Sequence, residues 1–208
     1  MKKLNFIKVA VFSLLLFLSS NLYASKFVLS SDGLIDQRAI GKIDEIGNET
    51  SSKLGVNIYV YAKSTLGLDP NISTKDKIKY IKEYEAEITQ ALHKPYVLLT
   101  MAIEDTHVNL IVSSSLKDTV DKNDILNSYV VPLLASKDKN STFAKASAAI
   151  LNGYAAIADT IAESKNIKLE SSIGSSGKVA GTIWKVFMYS LIVIGLLLYV
   201  YAVLRRKK

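Results

Sequence analysis

Cysteine is absent from the 208 residues, and histidine occurs only twice, as His93 and His107. Without thiols the chain has no disulfide, no cysteine nucleophile and no thiolate metal site, and two histidines are too few for a histidine-rich zinc centre. Acidic side chains are missing from both ends. Residues 1–24 carry Lys2, Lys3 and Lys8, residues 179–208 carry Lys185, Arg205, Arg206, Lys207 and Lys208, and neither stretch holds a carboxylate. Setting those eight cations aside from the 26 leaves 18 basic against 19 acidic groups in residues 25–178, so the formal charge of +7 arises at the flanks. A nucleic-acid surface would have to be built from that middle segment, where lysines and carboxylates interleave instead of clustering. Nucleic acid is therefore set aside as a partner. No internal repeat or long low-complexity tract is present.

The flanks read as membrane signals. Lys2 and Lys3 precede the run Val9 to Leu18 and then Leu22-Tyr23-Ala24, the layout of a secretory signal peptide cleaved after Ala24, although Leu22 is large for the position it would hold. The competing explanation is an uncleaved anchor, for which a ten-residue run is short of the roughly 20 residues a span needs. Val186 to Leu204 is 19 residues without a charge, with Tyr189, Tyr199 and Tyr201 as interfacial rings, and Arg205-Arg206-Lys207-Lys208 follows at once. By the positive-inside rule that cluster stays in the cytoplasm, which puts the middle segment outside. The short lysine-led leader suggests a bacterium. The expected organisation is a signal peptide over 1–24, an extracytoplasmic domain over 25–164, a flexible linker over 165–182 that includes the small and polar Ser171 to Gly177, a single transmembrane helix over 183–204 and a basic tail over 205–208. In localisation terms this is a single-pass inner-membrane protein with its domain in the periplasm and the membrane itself as a partner.

About 150 residues suffice for one domain, since a chain of that size buries roughly 70% of its unfolded surface. Leu34, Ile35, Ile40, Ile43, Ile46 and Leu54 share a helical face, with Asp36 as N-cap and Gly55 as terminator. Val56 to Ala62 alternates like a strand. Ser73 and Asp76 start a second helix bearing Ile78, Ile81, Ile88 and Leu92. Tyr96 to Ile103 is a strand buried on both faces, Glu104-Asp105 a two-residue turn, and Thr106 to Val112 an alternating strand that completes a hairpin. The first two strands, joined through a helix, form a parallel pair with a right-handed crossover. Ile125 to Leu134 is a short helix interrupted at Pro132, and Phe143, Ile150, Tyr154, Ile157 and Ile161 mark an alanine-rich helix from Ser141 or Thr142 to about Glu163. The fold class is α/β, a small mixed β-sheet sandwiched between helices, plus the C-terminal transmembrane helix.

This order, with an exported domain and a C-terminal anchor, resembles the TPM-domain family of thylakoid-lumen repair-associated, phosphatase-like proteins and their bacterial extracytoplasmic relatives. The likeness covers roughly residues 27 to 163. It rests on Val28-Leu29-Ser30-Ser31-Asp32-Gly33-Leu34-Ile35-Asp36, the strand Gly55-Val56-Asn57-Ile58-Tyr59-Val60, Tyr96-Val97-Leu98-Leu99 with its acidic turn, Val131-Pro132, and Ile150-Leu151-Asn152-Gly153-Tyr154-Ala155-Ala156-Ile157. The resemblance implies either weak acid phosphatase activity or divalent-cation binding, as in some relatives, or a role as an accessory subunit of a membrane complex, as in others. The chain departs from the family where relatives carry an aspartate at Ser30, an arginine at Thr106-His107 and glycines at Ser113-Ser114-Ser115, which puts any chemistry that uses those positions in doubt.

Phosphate hydrolysis without a thiol needs a metal or a carboxylate nucleophile. The candidate metal ligands are Asp32, Glu104, Asp105 and Asp121, an oxygen-only set suited to Ca²⁺ or Mg²⁺, with Asp105 and His107 as candidate catalytic groups. Each has a plainer explanation: loop and turn chemistry for the carboxylates around Asp118, Asp121 and Asp124 and for Glu104-Asp105, and simple surface exposure for His107. His93, before Pro95, is expected to meet the last carbonyls of its helix. Asn140 heads an Asn-x-Ser/Thr triplet and is a candidate glycosylation site, unless the hydroxyls after it simply cap the long helix. Asn48 and Asn71 head similar triplets. Three readings follow: an accessory or interaction module for a membrane or envelope protein partner, a weak divalent-metal-assisted phosphatase or other hydrolase, and a transmembrane interaction element whose span itself binds a partner helix.

Overall fold

The structure is a computed structural model that describes residues 25–174. The expected signal peptide, transmembrane helix and basic tail lie outside the described residues, as does the linker beyond residue 174. Among the described residues no helix is long and apolar enough to cross a membrane.

The elements are β1 (Val28–Ser30), α1 (Gln37–Leu54), β2 (Asn57–Lys63), α2 (Thr74–Gln90), β3 (Tyr96–Ala102), β4 (His107–Val112), α3 (Lys122–Ile125), α4 (Val131–Leu134) and α5 (Thr142–Ser164). Strands β1 to β4 form one mixed sheet in that order. β2 runs parallel to β3 in the register Asn57↔Tyr96 to Lys63↔Ala102, and β3 pairs antiparallel with β4 from Val97↔Val112 to Ala102↔His107. The chain is thus a mixed α/β domain around a mixed sheet, as the sequence pattern leads one to expect, with four strands where that pattern marks three. β1 is an addition, parallel to β2 and shifted in register between Val28 and Ser30. Three residues are too few to display a period-two alternation.

All seven residues of β3 are buried. Alternate side chains point to opposite faces. Leu99 lies toward Gly153 of α5, whereas Thr100 hydrogen-bonds Glu85 of α2. Helices α1 and α5 therefore cover one face with Ile43, Ile46, Ile150, Ile157 and Ile161, and α2 lies over the other. Each such aliphatic side chain contributes about 1.5–3 kcal/mol through burial.

Local chemistry sets the helix ends. Asp36 caps α1 by accepting from the Arg38 N–H, and Gly55, at φ +67°, closes it with its N–H on the Ser51 carbonyl. Ser73 caps α2 through the Asp76 N–H, and Ser141 caps α5 through that of Ala144. The interruption expected near Pro132 is a π-helical turn, Leu126–Val130, between α3 and α4. Proline has no N–H for the usual bond, and the Tyr129 carbonyl accepts from Asn152 Nδ2 at 2.8 Å.

Three expectations are corrected. Ile78 and Phe143 are 49% and 42% exposed although each lies two turns before a buried residue of the same stripe, Glu85 and Ile150, because they sit toward the N-terminal ends of their helices. The β3–β4 turn has four residues, 103–106, with Thr106 at φ +50°. That wider loop turns the Asp105 carboxylate inward onto residues 65 and 66.

Past α5 the chain stays attached to the domain up to Ser171, within the segment read as linker. Leu169 is buried, Lys165 Nζ donates to the Leu54 carbonyl at 2.6 Å, and Glu49 of α1 accepts from the N–H groups of Glu170 and Ser171 at 2.9 and 2.7 Å. Burial alone would raise the Glu49 pKa, but hydrogen bonds from Lys53, the Ser171 hydroxyl and these two N–H groups outweigh it and bring it down to about 2. A depressed carboxylate stabilises above its ordinary value of 4.5 and loses that contribution as pH falls toward about 2.

Two measurements check this packing. Gly47→Ala places a Cβ 2.5–2.7 Å from the buried Phe27 ring and against the Tyr154 hydroxyl, so urea unfolding is expected to show a loss of about 1–3 kcal/mol. Glu49→Gln is expected to speed hydrogen exchange at Glu170 and Ser171 and to flatten the loss of stability between pH 4.5 and about 2; unchanged exchange at both amides would show that Glu49 does not hold the segment.

Candidate functional site

Glu85 is the most heavily used buried polar group of the domain. It sits on α2 one turn after Ile81 and before Ile88, on the stripe that faces the sheet. The register Thr100↔Asn109 and Ala102↔His107 puts Thr100, Asn109 and His107 on the sheet face below it. Glu85 is 6% exposed. Its Oε1 accepts from Thr100 Oγ1 at 2.5 Å and lies 2.9 Å from His107 Nε2, and its Oε2 accepts from Asn109 Nδ2 at 2.6 Å. Asn109 Oδ1 in turn accepts from Lys122 Nζ and from the Leu110 N–H, which links the buried carboxylate to a surface cation. Beside this group the hydroxyls of Tyr61 and Tyr84 share a hydrogen bond.

Burial on its own would push the Glu85 carboxyl up; the hydrogen bonds from His107, Thr100 and Asn109 win and hold it below the ordinary glutamate value. Glu85 is therefore ionised and can only accept. The proton between the two side chains then belongs to His107, whose Nε2 is a donor. His107 also lines an open groove of about 410 Å³, together with Ile103, Thr106, Val108, Val131, Leu134, Ala135, Thr142 and Lys145. A carboxylate bonded to an imidazole is the positioning element of general acid–base sites, here without a nucleophile bonded to the ring.

The other sequence candidates do different things. Asp32, at φ +45°, accepts from the Ser64 N–H at 2.8 Å, and that bond keeps its pKa low. Asp105 Oδ2 accepts from the Leu66 N–H at 2.6 Å and from Thr65 Oγ1 at 3.2 Å, while Lys77 Nζ donates to its carbonyl. Glu104 is exposed at the tip of the turn, its N–H bonded to the Ser64 carbonyl. Asp121 caps α3 by accepting from the N–H groups of Asn123 and Asp124. Asp32 and Asp105 thus pin one loop, residues 64–66, and Asp121 belongs to another. Among the described residues no group of three or more His, Asp or Glu is arranged to hold a metal ion, so the oxygen set expected for Ca²⁺ or Mg²⁺ does not assemble. His93 is exposed, and its carbonyl accepts from Asn57 Nδ2. Asn140 is exposed with its N–H on Asp138 Oδ1, and the Ser141 hydroxyl of its triplet serves as the α5 cap.

His107 is the sequence candidate to which the fold adds a partner, and Glu85 is the residue that pattern reading passed over. The signal was present: a glutamate on the apolar stripe of an amphipathic helix, between Ile81 and Ile88.

No family model matches the chain, and no curated protein matches it in sequence. Solved structures do. The N-terminal domain of a P. gingivalis protein, known from solution NMR, is similar with a TM-score of 0.52 and 12% identity, over 72% of this chain and 90% of that one. The N-terminal domain of a Corynebacterium glutamicum protein gives a TM-score of 0.40 and 17% identity, over 76% and 88%. At such identities the likeness to the P. gingivalis domain speaks for a shared fold alone.

Replacing Glu85 tests the network. Glu85→Ala strands three donors beneath α2 and is expected to cost about 2–4 kcal/mol by urea unfolding near neutral pH. Because the folded carboxyl is held low, its contribution is present above the ordinary glutamate pKa and lost below it, so the gap between wild type and variant should narrow on acidification. A gap that stayed constant with pH would mean that the charge contributes nothing.

Proposed function

We propose that this chain is a membrane-anchored, extracytoplasmic TPM-like domain that serves as an accessory or interaction module for a membrane or envelope protein. The reading draws on the signal-peptide-like leader, the uncharged stretch before the final basic cluster, and the family-like segments of the sequence. The observation that carries it is the employment of the carboxylates. Asp32, Asp105 and Asp121 bind backbone N–H groups and hold loops in place, as a framework for a surface would require. A metal-assisted phosphatase would need the same carboxylates turned toward one ion, and their hydrogen-bond partners tell against that alternative.

Mild-detergent affinity purification from native membranes is expected to enrich a membrane or envelope protein together with this chain. Recovery of the chain alone, at monomer size, would overturn the proposal.

A further inference from the structure

We infer that removal of the leader gives the domain a further ion pair, in which the new α-ammonium of Ser25 is held by the Asp44 carboxylate of α1. The inference rests on the reading of residues 1–24 as a leader cut after Ala24. Hydrolysis of the Ala24–Ser25 peptide bond takes up one water, leaves a carboxylate on Ala24 and turns the Ser25 nitrogen into a primary amine. That amine is protonated below its pKa of roughly 7.7–8.0.

The domain already engages Ser25 at the entry to β1. Its Oγ donates to Asp44 Oδ1 at 2.5 Å and accepts from the N–H groups of Val28 at 2.9 Å and Phe27 at 3.3 Å. Phe27 is fully buried against Gly47, one turn after Asp44 on the same face of α1. Three hydrogen bonds and a buried ring thus fix the residue that cleavage makes the first. Bond lengths keep the nitrogen and Oγ of one serine within about 4 Å of each other. The amine therefore lies at most about 6 Å from the Asp44 oxygen, within the range over which a carboxylate favours a neighbouring positive charge.

Asp44 is half-buried, and among the described residues it forms no ion pair; its hydrogen-bond partner is the uncharged Ser25 hydroxyl. Of the titratable groups around it, Tyr154 of α5 is kept neutral by burial and donates to the Ile58 carbonyl, and Lys26 lies over the Phe27 ring at 5.0 Å. Before cleavage the Ser25 position holds an uncharged peptide nitrogen, so the pair exists only in the processed chain. Its effect is to fasten β1, a three-residue strand at the edge of the sheet, to α1.

The test uses the full chain, produced with its leader and transferred from membranes into lipid nanodiscs. Competitive acetylation with acetic anhydride between about pH 6 and 10, read on the N-terminal peptide by mass spectrometry, gives both the first residue and the pKa of its amine. Ser25 is the expected first residue; any other overturns the pair but not the span-anchored module, which the affinity purification tests. The amine is expected to titrate about one unit higher in the folded chain than in the same chain unfolded in urea. Asp44→Asn keeps the shape and an acceptor for the Ser25 hydroxyl, and should abolish the difference. Equal values in the folded and unfolded wild type, or a difference that survives Asp44→Asn, would overturn the proposal; the wild-type comparison decides even if the variant does not fold.

Discussion

Complete burial of β3 is the constraint from which the rest of the domain follows. A strand with all seven residues buried must have a neighbour on each edge and a covering layer on each face. β2 supplies one edge in parallel, which requires a crossover, and α2 is that crossover. β4 supplies the other through a short antiparallel loop. Helices α1 and α5, packed on each other, close the face that carries Val97, Leu99 and Met101, and Tyr154 ties the two layers by donating its hydroxyl to the Ile58 carbonyl at 2.9 Å. Burial raises the Tyr154 pKa well above the usual phenol range, so the group remains a neutral donor.

The two faces differ in chemistry. Beneath α1 and α5 the contact is aliphatic. Beneath α2 it is built around Glu85, and an ionised carboxylate there is tolerated only because three side chains from two strands donate to it. Such a group contributes more to placing α2 uniquely over β3 and β4 than an aliphatic contact would, since sliding the helix by one turn would strand the charge. One consequence is a histidine whose Nε2 is held as the donor to Glu85.

Elsewhere the acidic residues act as fasteners. Asp32 and Asp105, 73 positions apart, hold the same loop after β2, and Glu49 holds the chain where it leaves α5. These contacts join residues that no local pattern relates, and they explain why carboxylates that look like a cation site on a linear reading are bound to backbone N–H groups instead.

What the sequence determined by itself is what periodicity and capping encode within a few residues: the spans of α1, α2 and α5, the caps Asp36, Ser73 and Ser141, the stop at Gly55, and strands β2 to β4 with their parallel and antiparallel pairings. It missed β1, whose three residues are shorter than the period that would reveal them, and it misjudged the β3–β4 turn, whose width depends on what Asp105 reaches. Ile78 and Phe143 show the limit of periodicity, because an apolar residue on the right helix face still joins the core only where that stretch of the helix has something to pack against. The pairing of Glu85 with His107 belonged to the tertiary structure alone. The two residues are 22 positions apart on a helix and a strand, and they meet only because the β3–β4 register and the docking of α2 bring them to the same point on the sheet.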